Sequence, residues 1–312
     1  MAERANLPHD RGHLLWTAED GVSRMLLSSI DRWVTAILAD DGIDAPVFDS
    51  QDRSSSVISA KSDGIIAGTA AIDHMIQIWA PSIQITWRAS DGKKVSSGEE
   101  VALLSGCKSA ILQFERSILN ILGHLSGIAT ETKRWASKAA KQVASTRKTT
   151  WGLLDKWAVH LGGGLTHRLT RDDALRLKEN DLAAMFDSDL ANDVRIAQFI
   201  QNLDIANNPS FIEIEVRNEK EAITAAAMWQ QFHADAEIRL VIMLDNFGAE
   251  RCKTTAAQLT EMGLRENILL EASGNITFDT LDDWFECGVD VISTSAINRG
   301  VKPLDLSMIM GD

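Results

Sequence analysis

The amino-acid sequence predicts an α/β protein in two parts, an N-terminal α+β domain followed by a closed or nearly closed βα barrel. Three observations carry that expectation. Apolar residues recur at helical spacing near the start, then fall into short β-like runs broken by glycine between Ser54 and Gly106. Beyond Val143, short apolar runs are mostly separated by helix-length segments, the rhythm of a parallel sheet. At 312 residues, 45% hydrophobic and 24% charged, the chain can bury a large core and divide into one large and one smaller domain.

In the stretch 21–38, Met25, Leu26, Ile30, Trp33, Val34 and Ile37 can share one helix face. Strand-like runs follow at 57–58, 64–68 and 83–87, punctuated by Gly64, Gly68 and the turn pair Asp91-Gly92. A long helix is expected from about residue 110 towards 140, with Gly123 and Gly127 as weak points, bridging the two domains. Seven apolar runs then read as barrel strands, at 143–145, 157–161, 174–177, 211–216, 240–244, 268–272 and 289–292. The predicted division is about 1–130 for the N-terminal domain and 131–296 for the barrel, with a tail of about 297–312 returning to the first domain.

Charge is distributed unevenly. From Arg147 to Lys178 there are seven Lys or Arg against three Asp, an island of about +4 in a chain of formal net charge −13. A local positive potential in an acidic protein concentrates small carboxylates and phosphates, whereas a polynucleotide binder carries a broad basic face. Small anionic ligands are therefore expected, and nucleic acid is not. No segment approaches the ~18 apolar residues of a membrane span, and residues Met1 to Asn6 lack the apolar core of a signal peptide. A cytoplasmic location is expected. Cys107, Cys252 and Cys287 form no metal-ligand pattern and read as free buried thiols.

In a barrel, residues at the C-terminal strand ends line one mouth. Read in order, those ends supply Arg147 and Lys148, the glycines Gly162-Gly163-Gly164 with His167 and Arg168, then Lys178, Glu215, Asp245, Ser273-Gly274-Asn275 and Ser293-Thr294-Ser295. Arginine offers a two-pronged donor for carboxylate and lysine a movable point charge for phosphate or a leaving group. Gly162–Gly164 can be a loose turn or a place where backbone N–H groups approach a ligand; the dinucleotide GxGxxG pattern is absent. Glu213 and Glu215 alternate with Ile212, Ile214 and Val216 and so share one strand face, with Glu215 nearer the mouth. Asp245 emerges from an apolar run, as a ligand or as a helix cap. Together the two acids suit magnesium, directly or through water. Ser273-Gly274-Asn275 is expected to open a helix containing Leu281 and Trp284, whose N-terminus can hold a phosphate, with Ser293-Thr294-Ser295 repeating the arrangement.

Several of these segments, with two further upstream, resemble the quinolinate phosphoribosyltransferase family in order and approximate spacing. They are Phe114-Glu115-Arg116-Ser117, Gly123-His124-Leu125-Ser126-Gly127, Thr146-Arg147-Lys148-Thr149-Thr150, Gly162-Gly163-Gly164 with His167-Arg168, Glu213-Ile214-Glu215, Leu244-Asp245-Asn246-Phe247 and Ser273-Gly274-Asn275-Ile276. The resemblance implies an N-terminal α/β sandwich domain and an incomplete (open) βα barrel, like the type II phosphoribosyltransferases. It also implies a homodimer with shared active sites, or a higher oligomer built from it. The implied reaction moves phosphoribose from phosphoribosyl pyrophosphate, bound with Mg2+, to quinolinate, giving nicotinate mononucleotide, pyrophosphate and carbon dioxide in NAD biosynthesis.

Carried over by position, Arg116, Arg147, His167 and Arg168 would hold the quinolinate carboxylates, Arg116 reaching across the dimer. Thr146 would line the substrate site beside them. Lys148 and Lys178 would lie beside substrate and pyrophosphate, and Glu215 and Asp245 would face the ribose and the magnesium-bound pyrophosphate. The loops Ser273–Asn275 and Ser293–Ser295 would take the ribose phosphate. Alternatives are a sister transferase using nicotinate or a related acid, and a non-catalytic anion-binding paralogue. The chain also departs from the pattern. Trp151 stands where the family has proline, the connection to the glycines is shorter, and Lys178-Glu179-Asn180-Asp181 replaces Lys-Asp-Asn-His. The Gly-Asp-x-Thr pattern is missing from the stretch 42–48.

Overall fold

The computed structural model describes residues 7–47, 52–139, 142–187, 189–205 and 211–311. Met1 to Asn6, Phe48 and Ala140, on which expectations above touch, lie outside them. In chain order the elements are β1 (Trp16–Thr17), β2 (Gly21–Val22), α1 (Arg24–Asp40), β3 (Arg53–Ala60), β4 (Gly64–Ile65), α2 (Thr69–Trp79), β5 (Ile83–Trp87), β6 (Lys94–Val95), β7 (Glu100–Cys107) and α3 (Lys108–Lys138). They continue with β8 (Val143–Ser145), α4 (Leu153–Leu161), β9 (Leu175–Leu177), α5 (Glu179–Met185), α6 (Asn192–Gln201), β10 (Ile212–Val216) and α7 (Glu219–His233). The last are β11 (Leu240–Asp245), α8 (Ala249–Glu261), β12 (Ile268–Ser273), β13 (Val291–Thr294) and β14 (Leu306–Met310).

The chain forms two units, each discontinuous in sequence. One takes Gly12–Ser137, Arg147–Thr166 and Ser295–Asp312; the other takes the segment ending at Arg11, Lys138–Thr146 and His167–Thr294. The boundary falls at 137/138 rather than the expected 130/131, because α3 runs unbroken to Lys138. It also assigns 147–166 to the sheet unit and the first residues to the barrel unit.

The sheet unit is built on four antiparallel strands in the order β14-β3-β7-β5. Its start is specified locally. Ser23 caps α1 by accepting the Leu26 N–H at 3.3 Å, and Leu26, Ile30, Val34 and Leu38, four residues apart, supply the buried stripe. Along β3, Ser56, Ile58 and Ala60 are buried while the residues between them are not, the period-two pattern of a sheet with one covered face. Leu306–Met310 pairs antiparallel with β3, so the end of the chain completes this sheet.

Helix α3 is continuous through Gly123 and Gly127, which are not weak points but approach sites. The backbone at Lys302 to Leu304 lies against them: Leu304 N–H donates to the Gly123 carbonyl at 2.8 Å, and a Cβ on Gly127 would collide with the Lys302 carbonyl.

The barrel unit has six parallel strands in the order β8-β13-β12-β11-β10-β9, an open half-barrel with β8 and β9 at its edges. The expected seventh strand, Trp157-Ala158-Val159-His160-Leu161, is instead the second half of α4. Trp157, Ala158 and Val159 are buried, and a five-residue run with His160 as its one polar position carries no period that separates strand from helix. Gly162–Gly164 accordingly ends a helix: Gly162 is the C-cap and Gly163 takes φ +85°. Cys107, Cys252 and Cys287 are buried free thiols, and burial pushes Cys252 up to about 12, so it stays protonated at neutral pH. Among the described residues no helix is long and apolar enough to cross a membrane.

A side chain at Gly127 must displace the segment at Lys302. Gly127→Val should destabilise the protein by about 2 kcal/mol or more, read as a fall in the midpoint of thermal unfolding, while Gly98→Ala, where an added Cβ meets nothing within 4 Å, should cost only the strain of its left-handed backbone, φ +88°, about 1 kcal/mol.

Candidate active site

The half-barrel encloses three glutamates. Register pairing sets Glu213 against Val241 and Glu215 against Met243, and Met243 in turn against Glu271. Glu213 and Glu271 are wholly buried and Glu215 is 7% exposed. Three carboxylates in so small a volume require cations, because burying an unpaired charge costs several kcal/mol.

Arg176, opposite Glu213 in the β9–β10 pairing, supplies one cation. Its Nη2 donates to Glu215 Oε2 at 2.9 Å and lies 2.8 Å from Met243 Sδ, and its Nε is 3.5 Å from Glu213 Oε1. Burial opposes its charge, but Glu213, Glu271 and Glu215 outweigh burial and raise its pKa. Lys178 Nζ takes the same Glu215 oxygen at 2.7 Å. Burial alone would raise the Glu215 carboxyl, yet Lys178 and Arg176 hold it below the usual 4.5. Lys178 is thus both a mouth cation and the partner of Glu215.

His167 lies deeper than its place in the sequence implied. It is 2% exposed, with Nε2 3.3 Å from Glu271 Oε2 and 3.4 Å from Glu213 Oε2. Burial would lower its pKa; the two carboxylates outweigh burial and raise it. Its backbone is left-handed, φ +56°, which costs a residue with a Cβ about 1–2 kcal/mol. Arg168 is buried beside it and donates from Nη1 to the Ala174 carbonyl at 3.3 Å. His9, His167 and Glu271 also bring three ligand atoms within 4.8 Å. Nδ1 of His167, however, accepts the Arg168 N–H at 2.7 Å, which leaves the proton on Nε2, the atom facing the carboxylates. A protonated nitrogen does not ligate, so the cluster reads as an electrostatic group, joined by the His9–Glu271 hydrogen bond, rather than a metal centre.

At the strand ends, Asp245 pairs in register with Ser273 and Ser273 with Ser293, bringing those residues together, with Thr294 following. Asp245 is part-exposed and accepts from Asn246 Nδ2 at 3.0 Å. Asn246 and Asn275 take φ +58° and +55°, and Asn246 N–H donates to the Ser273 carbonyl at 2.8 Å. Gly274 is required between them, at φ +100° with no room for a Cβ beside Asn246. The expected helix after Asn275 is absent: a single 3-10 turn, Leu281–Trp284, starts only after the cap at Thr280. Ser295 opens a turn rather than a helix, its carbonyl accepting the Asn298 and Arg299 N–H groups. Thr294 Oγ1 donates to the Ile276 carbonyl at 3.2 Å, tying the two loops together. A phosphate here would meet strand-exit loops and their N–H groups, not a helix dipole.

Arg147 and Lys148 belong to the sheet unit and are exposed, whereas Thr146 ends the β8 segment of the barrel unit. Their loop is fixed within its own unit. Asn298 Nδ2 donates to the Lys148 carbonyl at 2.9 Å, and the buried Asp155 accepts the Thr150 N–H and lies 2.9 Å from His124 Nε2. Trp151 packs on His124 and stacks on Trp33, ring centroids 4.1 and 6.1 Å away. Arg116 is exposed on α3. Asp181 accepts the Lys178 N–H at 3.0 Å, a cap at the start of α5.

Sequence reasoning did not single out His9, Arg176 or Glu271. The latter two had a signal, a charged letter at alternating spacing inside an apolar strand run. His9, in a segment without periodic pattern, had none.

The family description "Quinolinate phosphoribosyl transferase, C-terminal domain" matches residues 128–309, and its N-terminal domain matches 37–126. A probable carboxylating nicotinate-nucleotide pyrophosphorylase of Methanothermobacter thermautotrophicus is 34% identical over 267 residues, 82% of this chain and 89% of that protein. A protein of the same description from Synechocystis is 34% identical over 288 residues, 89% and 92%. The solved nicotinate-nucleotide pyrophosphorylase from Francisella tularensis superposes with a TM-score of 0.75 at 28% identity, covering 91% of this chain and 96% of that one.

Because Glu215 has a lowered pKa, its pairing stabilises the protein fully above 4.5 and is lost as pH falls through the lower folded value. Lys178→Met should therefore cost up to about 1 kcal/mol near neutral pH, a modest value because Lys178 is half-exposed. Urea unfolding of variant and parent should converge as the pH is lowered below 4.5.

Proposed function

We propose, from the premise that this chain belongs to the quinolinate phosphoribosyltransferase family, that it transfers phosphoribose from phosphoribosyl pyrophosphate to quinolinate in NAD biosynthesis. The products are nicotinate mononucleotide, pyrophosphate and carbon dioxide. The observation that carries this reading is the joining of Glu215, Lys178 and Asp245 at neighbouring C-terminal strand ends of an open parallel barrel.

The pyridine nitrogen attacks the ribose carbon as its bond to pyrophosphate breaks, and positive charge builds on the sugar. Glu215, kept ionised by Lys178 and Arg176, offers fixed negative charge for that transition state. Lys148 and Lys178 stand beside the departing pyrophosphate. Arg116, Arg147, His167 and Arg168 are assigned to the two carboxylates, with Thr146 beside them; His167, whose Nδ1 accepts the Arg168 N–H and whose Nε2 faces Glu213 and Glu271, serves by backing Arg168 rather than by direct contact. Three arginines exceed what a monocarboxylate such as nicotinate needs. Once the ring nitrogen is quaternised, the electron pair of the breaking C–CO2 bond stays on the adjacent ring carbon, stabilised by the neighbouring positive nitrogen, and that carbanion takes a proton from solvent. Positioning and desolvation suffice for that step. Ser273, Gly274, Asn275, Ser293, Thr294 and Ser295 are assigned to the ribose phosphate.

Magnesium fits as a companion of pyrophosphate and would neutralise charge on the leaving group. Asp245, part-exposed and oxygen-only, suits it directly. Glu215 has one oxygen shared by two cations, so it suits magnesium through Oε1 or water. The exposure of Arg116 on α3 supports a homodimer in which Arg116 serves the partner's site, and the proposed location is the cytoplasm.

Incubation with quinolinate, phosphoribosyl pyrophosphate and Mg2+ should yield nicotinate mononucleotide and carbon dioxide in equal amounts, and Mg2+ removal should abolish turnover. Product from nicotinate but none from quinolinate would overturn the assignment. Arg116→Ala and Lys148→Ala should each lower kcat/KM by about 100-fold or more. Mixed and reassembled, they should recover about a quarter of the activity, since about half the dimers are hybrids carrying one intact site; no recovery would refute the shared site.

A further inference from the structure

We infer that His9 is a positioning residue for this reaction: its ring holds Glu271 and its carbonyl holds the backbone of His167, so the segment 7–11 sets the orientation of the imidazole that backs Arg168 at the substrate carboxylate. This rests on the role given to His167 above.

His9 is wholly buried although it stands close to the start of the chain, and it lies outside the residues matched by the family descriptions, which begin at 37. Its Nε2 is 2.8 Å from Glu271 Oε2, the oxygen that also faces His167 Nε2 at 3.3 Å. The two imidazoles meet edge to face with centroids 5.1 Å apart, and both rest on Phe211. The His9 carbonyl accepts the His167 N–H at 2.9 Å. One residue therefore grips His167 at its backbone and, through Glu271, at its ring.

A second clamp brackets the same turn. Arg11 Nε pairs with Asp173 at 2.7 Å, and Asp173 Oδ2 accepts the Leu169 N–H at 2.9 Å. Leu7, 4% exposed, buries the other end of the segment. These holds keep His167 in its left-handed conformation, which few residues with a Cβ adopt unaided. The titratable groups facing the His167 ring are His9 from the segment, Glu213 from β10 and Glu271 from β12, with Arg176 from β9 behind Glu213.

Two readouts test the inference on the full chain, comparing the parent with His9→Ala and His9→Gln. Glutamine keeps a donor where Nε2 stands. Histidine side-chain NMR without substrate should show the His167 titration moving to higher pH in His9→Ala, because Glu271 loses a competing donor, and returning towards the parent in His9→Gln. In steady state, His9→Ala should raise KM for quinolinate about tenfold, the order expected for one hydrogen bond to a charged group. KM for phosphoribosyl pyrophosphate should stay within about twofold. If His9→Ala does not fold, His9→Gln against His9→Asn makes the same comparison, since the shorter amide stops at the Nδ1 position. An unmoved His167 titration would overturn the proposal, as would equal losses for both substrates without rescue by glutamine. Should the parent fail to turn over quinolinate, the functional reading falls, while the ligand-free NMR comparison still decides the hold of His9 on His167.

Discussion

Charge compensation inside the half-barrel is the constraint on which the rest depends. Glu213, Glu215 and Glu271 bring three carboxylates into an interior that excludes water, and removing one partner of such a buried pair costs about 3–5 kcal/mol. Arg176 and Lys178 from the β9 edge supply the positive charge, and His167 and His9 turn ring N–H groups towards Glu271, through shared oxygens: Glu215 Oε2 serves two cations and Glu271 Oε2 two imidazoles. Burial pushes Glu271 up, but His167 and His9 hold it well below the ordinary carboxylate range, so the interior keeps its negative charge. Fixed negative charge opposite a mouth that receives cationic character on a sugar is the electrostatic requirement of the proposed chemistry.

Much of this arrangement was legible in the sequence, and the failures have physical causes. The alternation of Glu213 and Glu215 with apolar residues located the interior face of β10, and the apolar runs at 240–244 and 268–272 located its neighbours. Trp157 to Leu161 misled because five residues with His160 as the one polar position are too few to show a helical period. The loop after Ser273 misled because serine, glycine and asparagine cap helices and also form left-handed strand exits. In this chain the second use prevails, with Asn246 and Asn275 both at positive φ. His9 left no local trace, since its meaning comes entirely from partners more than 150 residues away.

The departures from the family pattern prove structural where the geometry is described. Trp151 fills space between Trp33 and His124, while Asp155 fixes the preceding threonine backbone, so the loss of a proline is offset by packing. Asp181 spends its carboxylate on the first turn of α5, holding the backbone of Lys178 while Glu215 holds the side chain. Neither substitution removes a group from the set proposed to read the carboxylates.

The antiparallel pairing of β14 with β3 joins residues about 250 positions apart, Met310 with Ser56 and Leu306 with Ala60. During synthesis the outer edge of β3 therefore stays open until residues 306–310 have left the ribosome, and until then α3 lacks the Lys302 to Leu304 backbone that lies against its glycines. Contacts of such long sequence separation form late and slowly. The nascent sheet unit must persist with an unpaired strand edge through translation of the barrel, and four serines among the six residues 54–59, on either side of Val57 and Ile58, keep that waiting edge polar enough to resist pairing with other chains.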